Sequence, residues 1–210
     1  MNNNFFKILR AGIHTTYQDG GRFGLQHLGL PPGGCMDNKS FLLANAIVGN
    51  KKNNGVIEFA YQGPLLQLTK GKTKIAITGD VNFKIIYKNK KTIEGGCNRS
   101  YNMEEGDQID ILTTQKSVYG YLSVEGGFDL ESFCNSVSTF IKAKVGPNNG
   151  RKLDLEDKIK INKISKNQNK FQANVSYERS NIIRVLKGPQ YNYFSEESKK
   201  IFFSQLYKIT

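Results

Sequence analysis

Short apolar runs, each closed by glycine or a polar turn pair, are the feature that most limits how this chain can fold. Between positions 56 and 124 they read Val56–Ala60, Leu65–Thr69, Lys74–Thr78, Phe83–Tyr87, Gln108–Leu112 and Val118–Val124. Gly63-Pro64, Gly71, Gly79-Asp80, Lys88-Asn89, Gly106-Asp107 and Gly126-Gly127 punctuate them. Runs of this length between turn residues predict strands, not helices. Phe5–Leu9 and the alternating Ile159–Ile164 add an early and a late strand, and Asn89 is expected at a left-handed hairpin position. With 21 glycines and 5 prolines, the pattern predicts a mainly β chain, a closed or nearly closed barrel.

One segment breaks the pattern. Asp37–Val48 reads as the main helix, with Asp37 accepting backbone N–H bonds at its start. Phe41, Leu42, Ala44 and Ile47 form its apolar face, Val48 lies at the edge, and Gly49-Asn50 suits a left-handed exit. Late in the chain, Lys166–Asn174 reads as a polar linker and Ile182–Leu186 as a strand. Ser195 caps a short helix whose first turn carries Glu196 and Glu197.

Charge and cysteine usage narrow the function classes. The formal charge is +12, from 30 Lys and Arg against 18 Asp and Glu. The cations are mostly scattered lysines among Asn and Ile, without a compact Arg-rich patch, so a solvated basic surface is expected and not a nucleic-acid partner. Cys35, Cys97 and Cys134 are odd in number and far apart. Reduced thiols fit them better than a disulfide framework or zinc site. His14 and His27 lack ligand spacing, so no metal is expected. No signal peptide and no membrane-spanning run is read, and a cytoplasmic location is expected.

The most informative stretch runs from Gln18 to Asn50. It reads Gln18-Asp19-Gly20-Gly21-Arg22-Phe23-Gly24, then Leu28-Gly29-Leu30-Pro31-Pro32-Gly33-Gly34-Cys35-Met36-Asp37, with Ser40, Ala44-Asn45 and Val48-Gly49-Asn50 following. Gly33-Gly34 lies just before the helix start, where N–H groups and the helix dipole favour an anion. Arg22 can add a bidentate contact to the same anion. No Gly-Lys-Ser/Thr follows the glycines, so this is not a Walker loop.

Order and spacing here resemble the carboxyltransferase A/B domain family, also called allophanate hydrolase subunit 2. The pattern Gln-Asp-x-Gly-Arg-x-Gly, Gly-x-Pro-x-x-Gly-x-Met-Asp, Ala-Asn-x-x-Val-Gly-Asn stands in register. Val56-Ile57-Glu58, Gly63-Pro64, Ile77-Thr78-Gly79, Tyr121 to Asp129, Gly150-Arg151-Lys152-Leu153 and Arg184 to Gln190 extend the resemblance along nearly the whole chain. Two departures stand out. Ser136-Val137-Ser138-Thr139 replaces a usual Ser-Arg-Ser-Thr, and Gly146-Pro147 replaces a glycine pair.

The resemblance implies a cyclophilin-like β-barrel with one main helix over 1–175 and, over 176–210, the beginning of a truncated second similar subdomain. It implies the C-type member of an ATP-dependent 5-oxoprolinase complex, opening 5-oxoproline to glutamate with a B-like protein and an A-like hydrolase of the same enzyme. ATP would be shared with one of these partners, and the substrate would be a small amide or lactam. Two alternatives stay open: a biotin-dependent carboxyltransferase of the urea amidolyase type, with biotin on a separate protein, or a non-enzymatic regulator binding a kinase-inhibitor-like partner. Candidate substrate- or phosphate-binding residues are Arg22, Gly33, Gly34, Ser40 and Asn45. Asp37 and Glu58 are the candidate catalytic acids or bases. Asp37 doubles as a helix cap, and Glu58, if buried, would have a raised pKa.

Overall fold

The computed structural model describes residues 4–162, 172–174 and 182–208. It divides into two compact units, 1–175 and 176–210.

Among the described residues the first unit has eleven strands and one α-helix. In order these are β1 (Asn4–Arg10), β2 (His14–Gln18), α1 (Asn38–Ile47), β3 (Val56–Ala60), β4 (Leu65–Lys70), β5 (Lys72–Thr78), β6 (Val81–Ile86), β7 (Thr92–Glu94), β8 (Ser100–Glu104), β9 (Gln108–Thr114), β10 (Tyr119–Val124) and β11 (Lys158–Ile161). All pairings are antiparallel, giving a six-stranded sheet β11-β1-β4-β9-β6-β7 and a five-stranded sheet β2-β3-β10-β5-β8. The unit is mainly β as expected, but its strands form two open sheets, not one closed cylinder.

One apolar core joins the sheets. Phe6, Ile8, Leu66, Leu68, Phe83, Ile85, Ile109 and Ile111 come from the six-stranded sheet, and Ile57, Phe59, Ile75, Ile77, Leu122 and Val124 from the other. Neighbouring residues of the five-stranded sheet point the opposite way, beneath α1: Val56 and Tyr121 meet Phe41 and Ala44, and Ala76 meets Ile47 and Val48. A sheet covered on both faces loses its apolar–polar alternation. β3 is accordingly buried at all five positions.

The helix begins and ends where its sequence directs. Asp37 is the N-cap, its carboxylate accepting from the Ser40 amide, and Gly49 takes φ +77° at the exit. Its buried face is Ser40, Phe41, Ala44, Asn45 and Ile47, whereas Leu42 is exposed. The apolar face expected from sequence therefore rotates, because two polar side chains are satisfied in the buried face: the Ser40 hydroxyl donates to Asp37 Oδ2 at 2.5 Å, and Asn45 Oδ1 accepts from Ser123 Oγ at 2.8 Å. The Ser40 main-chain carbonyl also accepts from Thr78 Oγ1 at 2.8 Å.

Other expectations shift for local reasons. In the β6–β7 hairpin, Lys90 takes φ +65° and Asn89 Oδ1 instead accepts from the Lys91 amide at 3.0 Å. Most of the linker expected at 166–174 lies outside the described residues, but Gln172 bridges to Arg99 and the Ala173 amide donates to Asn98 O. Residues 182–186 are described without a strand assignment, and the short helix α2 (Glu196–Ser204) follows its Ser195 cap. No helix of the described residues is long and apolar enough to cross a membrane.

β10 is the middle strand of the five-stranded sheet, and its Leu122 is fully buried in the common core. Leu122→Ala should lower stability by about 2–5 kcal/mol, because the cavity adds to the lost transfer energy. Urea unfolding followed by circular dichroism checks this, and a change below about 1 kcal/mol on the same scale would show that the core is not shared between the sheets.

Candidate functional site

A group of buried polar residues of the first unit gathers where the glycine segment meets the start of α1. Glu58 on β3 stands directly across from Tyr121 on β10. Both side chains point to the helix side, and both are buried. Tyr121 Oη donates to Glu58 Oε2 at 2.8 Å and accepts from the Asp37 amide at 2.7 Å. The Met36 amide donates to the same Glu58 oxygen at 2.8 Å. Two backbone N–H groups before the helix thus end on a tyrosine and a carboxylate of the sheet beneath.

Asp37 is fully engaged at the cap. Its Oδ1 accepts from the Ser40 amide at 3.1 Å and its Oδ2 from Ser40 Oγ at 2.5 Å. This geometry commits Asp37 and the Ser40 hydroxyl to each other.

Burial dominates the proton affinities. It pushes the Glu58 carboxyl up from its ordinary value, with the Asp37 charge adding to the rise and the Met36 and Tyr121 hydrogen bonds opposing it. Burial, then the Glu58 charge, pushes the Tyr121 phenol up. Cys35, half-buried beside Glu58, is raised to about 11, again mainly by burial, so its thiol is not activated.

The other half of the site surrounds Arg22. Its side chain is 1% exposed. Nη2 donates to Ser138 O, while Nε and Nη1 have no acceptor. No acidic side chain pairs with it among the described residues. Gly33 lies against this guanidinium: a Cβ there would sit 2.9 Å from Ser138 Oγ and 3.4 Å from Arg22 Nη1. Gly33 and Gly34 both have positive φ, and the Gly34 amide donates to Ser138 Oγ at 2.8 Å. Ser138 Oγ in turn donates to Gln18 Oε1 at 2.6 Å.

Asp19 fixes the arrangement without touching Arg22. Its Oδ1 accepts from the Gly21 amide at 2.8 Å and Ser136 Oγ at 2.7 Å, and its Oδ2 accepts from the Val137 amide at 2.8 Å. Asp19 and Val137 also line a polar cleft of about 520 Å³ with Asn50, Asn53, Asn54 and Asn135.

The structure therefore sorts the sequence candidates into three places. Arg22, Gly33 and Gly34 meet at Ser138. Asp37, Ser40 and Glu58 meet at the helix start, joined to the first group through the short run Gly34-Cys35-Met36. Asn45 lies apart: its Nδ2 donates to Asn54 O at 2.8 Å, and its Oδ1 accepts from Ser123 and Asn50. That side chain ties α1 to the following loop. Four amides at the helix start, those of Gly34, Met36, Asp37 and Ser40, donate within the chain. Tyr121, Ser138 and Gln18 were missed by sequence reasoning. The polar run Ser136-Val137-Ser138-Thr139 was the one signal that could have pointed to the second of them.

These features define a two-sheet β protein with a helix-capped sheet and a buried, uncompensated guanidinium. The chain belongs to the carboxyltransferase domain family, subdomain A and B, matched over residues 28–210. It is 28% identical to the C subunit of Escherichia coli 5-oxoprolinase, over 97% of this chain and 64% of that protein. It is 32% identical to urea amidolyase of Lachancea kluyveri, over 97% of this chain but 12% of that protein. The crystal structure of the K. lactis urea amidolyase superposes with a TM-score of 0.71 at 33% identity, covering 78% of this chain and 10% of that one.

A buried carboxyl with a raised pKa binds its proton more tightly in the folded than in the unfolded chain. Its contribution to stability is complete below the ordinary glutamate value of 4.5. It declines as pH rises from there to the raised value and is level above it. Glu58→Gln keeps an acceptor for Met36 and Tyr121 without the charge. The variant should gain on the parent protein across that same pH window and hold a constant lead above it. Parallel urea midpoints across the acid-to-neutral range that never diverge would remove the charge penalty from Glu58.

Proposed function

We propose that this chain is the C-type member of an ATP-dependent 5-oxoprolinase, working with B-like and A-like proteins to open 5-oxoproline to glutamate. The observation that carries this reading is Arg22: a buried guanidinium with two unbonded edges and no acidic partner among the described residues. A buried charge of this kind is costly unless an anion completes it. 5-Oxoproline carries a carboxylate that suits a guanidinium fork, whereas urea is neutral. Similarity to the C subunit of 5-oxoprolinase supports the same choice.

In this reading Arg22 receives the substrate carboxylate. Ser138 is the residue that must yield, since its carbonyl and hydroxyl cover the guanidinium and the Gly34 amide. Glu58 is the group able to give or take a proton, because burial has raised its affinity for one. Asp37, Ser40 and Asn45 hold the helix in place for these residues. ATP, when bound, would supply a phosphoryl group to the lactam oxygen, making the ring carbon a better electrophile; water would add there, the C–N bond would open with a proton delivered to nitrogen, and phosphate would be released. The Gly34, Met36, Asp37 and Ser40 amides are engaged within this chain, so in this reading the helix start is not the main phosphate cradle. ATP is shared with a partner protein.

A second reading is a urea amidolyase-type carboxyltransferase working with biotin on another protein. It is favoured by the 32% identity to the L. kluyveri enzyme. The two separate in one assay. With the B-like and A-like proteins present, ATP hydrolysis should depend on 5-oxoproline. Arg22→Ala and Arg22→Lys should each raise the KM for 5-oxoproline by about 10- to 100-fold, the range for losing a charge-assisted hydrogen bond. Unaltered kinetics in a folded Arg22→Ala complex would sink the carboxylate site. Urea carboxylation driven by a biotinylated carrier would select the second reading.

A further inference from the structure

The polar cleft of about 520 Å³ at the exit of α1 holds a carboxylate that the fold leaves without donors. Glu125 follows β10, and its side chain is 10% exposed. The partner of its carboxylate among the described residues is Lys74, 3.7 Å away. At that distance the two share charge but no hydrogen bond. A carboxylate can accept up to about four hydrogen bonds. Asp19, in the same cleft, accepts three. The Glu125 side chain accepts none from the described residues. Burying a carboxylate this far is costly unless donors come from elsewhere.

The other lining groups that remain open complete a pattern. Asn50 is spent: its Nδ2 donates to Val124 O at 2.8 Å, and its Oδ1 accepts from the Gly126 amide at 2.9 Å. Asn162 Nδ2 donates to Gly126 O at 3.2 Å and Phe128 O at 3.1 Å, so Oδ1 is its open atom. Asn53 Oδ1 accepts from the Gly20 amide at 2.7 Å, so Nδ2 is the open atom there. The Asn54 carboxamide makes no hydrogen bond among the described residues. Gly127, at φ +79°, leaves it room, since a Cβ there would sit 2.8 Å from Asn54 Nδ2. The cleft thus offers Glu125 and Asn162 as acceptors, and Asn53, Asn54 and Lys51 as donors. Val48, the C-cap of α1, is in its wall, where the negative end of the helix dipole favours a cation. Formal charges balance, with Asp19 and Glu125 against Lys51 and Lys74. A simple anion or cation would upset that balance, and a molecule carrying both signs would not.

We propose that this cleft binds a free α-amino acid as its zwitterion. The ammonium donates to the Glu125 carboxylate and to Asn162 Oδ1. The α-carboxylate accepts from the Asn53 and Asn54 carboxamides, with the exposed Lys51 beside it. Both ends of the ligand then make charge-assisted hydrogen bonds, which are stronger than those between neutral groups. Binding makes and breaks no covalent bond. The site is read from Glu125 and not from Arg22, so it stands whether or not the 5-oxoprolinase reading does.

The test titrates glycine and L-alanine into the 210-residue chain, followed by calorimetry and by NMR of the asparagine side-chain amides. Both should bind saturably and shift the Asn53 and Asn54 side-chain signals. N-Acetyl-L-alanine lacks the ammonium and L-alaninamide lacks the carboxylate. Each should bind about 10- to 100-fold more weakly than L-alanine, the range for one hydrogen bond to a charged group. Glu125→Gln should weaken L-alanine by the same factor. If loss of the charge beside Lys74 keeps that variant from folding, Asn54→Ala decides. It should weaken L-alanine by about 3- to 10-fold, while β3 and β10 keep their hydrogen-exchange protection. The proposal is overturned if neither amino acid binds, or if both variants bind as the parent does. It is equally overturned if N-acetyl-L-alanine or L-alaninamide matches L-alanine, which would make this a site for one charge only.

Discussion

The pairing of Glu58 with Tyr121 under the start of α1 is the interaction on which the first unit's organisation turns. A carboxylate and a phenol stand on the buried helix-side face of the sheet, beside Val56 and the polar Thr78 and Ser123. They are tolerated there because Met36 and Asp37 bring backbone N–H groups to them. The exchange works both ways. The helix start needs acceptors for its unpaired amides, and the buried side chains need donors. Remove either side and the other becomes a buried group without a partner. This reciprocity fixes where α1 lies, and through α1 it fixes the course of the glycine segment leading into it.

The glycine segment is held from its far side by a second set of polar ties. Asp19, Gln18 and Ser138 form a connected group in which each buried oxygen has a donor. Against that background Arg22 stands out, since its neighbours are satisfied and two of its nitrogens are not. Val137, where the family resemblance leads one to expect an arginine, contributes its amide to Asp19 and rests its side chain against Gly55. No second cation therefore stands beside Asp19 at that position, and Arg22 carries the positive charge of this region with only a carbonyl for a partner.

How far the sequence reached depended on whether the physics was local. β3, β4, β5, β6, β9 and β10 were legible because their side chains are apolar and glycine closes them. The cap at Asp37 and the exit at Gly49 were legible because both are decided within one turn of helix. β2 was not legible. Its residues His14-Thr15-Thr16-Tyr17-Gln18 look like loop, yet four of the five are buried. Their polar atoms are served by partners such as Thr139, more than a hundred positions away. β7 and β8 escaped for a related reason, being short and polar and existing through their neighbours β6 and β5. Leu42 was placed inside and lies outside, because Ser40 and Asn45 hold the buried face through bonds that no periodicity shows. At the candidate site, Arg22, Glu58 and Asp37 are visible as residue types, but the sequence does not show that the Gly34, Met36, Asp37 and Ser40 amides donate within the chain.

The Asp19 carboxylate accepts from residues 117 and 118 positions further along the chain. A ribosome working from the N-terminus completes the glycine segment early and residues 136–139, which cover it, more than a hundred positions later. Throughout that interval the guanidinium and the neighbouring carbonyls face water, and the sheets can form around an unfinished corner. Non-local closures of this kind come last in assembly because the entropy of a long loop must be overcome before they reward it. The corner around Arg22 is thus completed only after most of the strands of its own unit have been made.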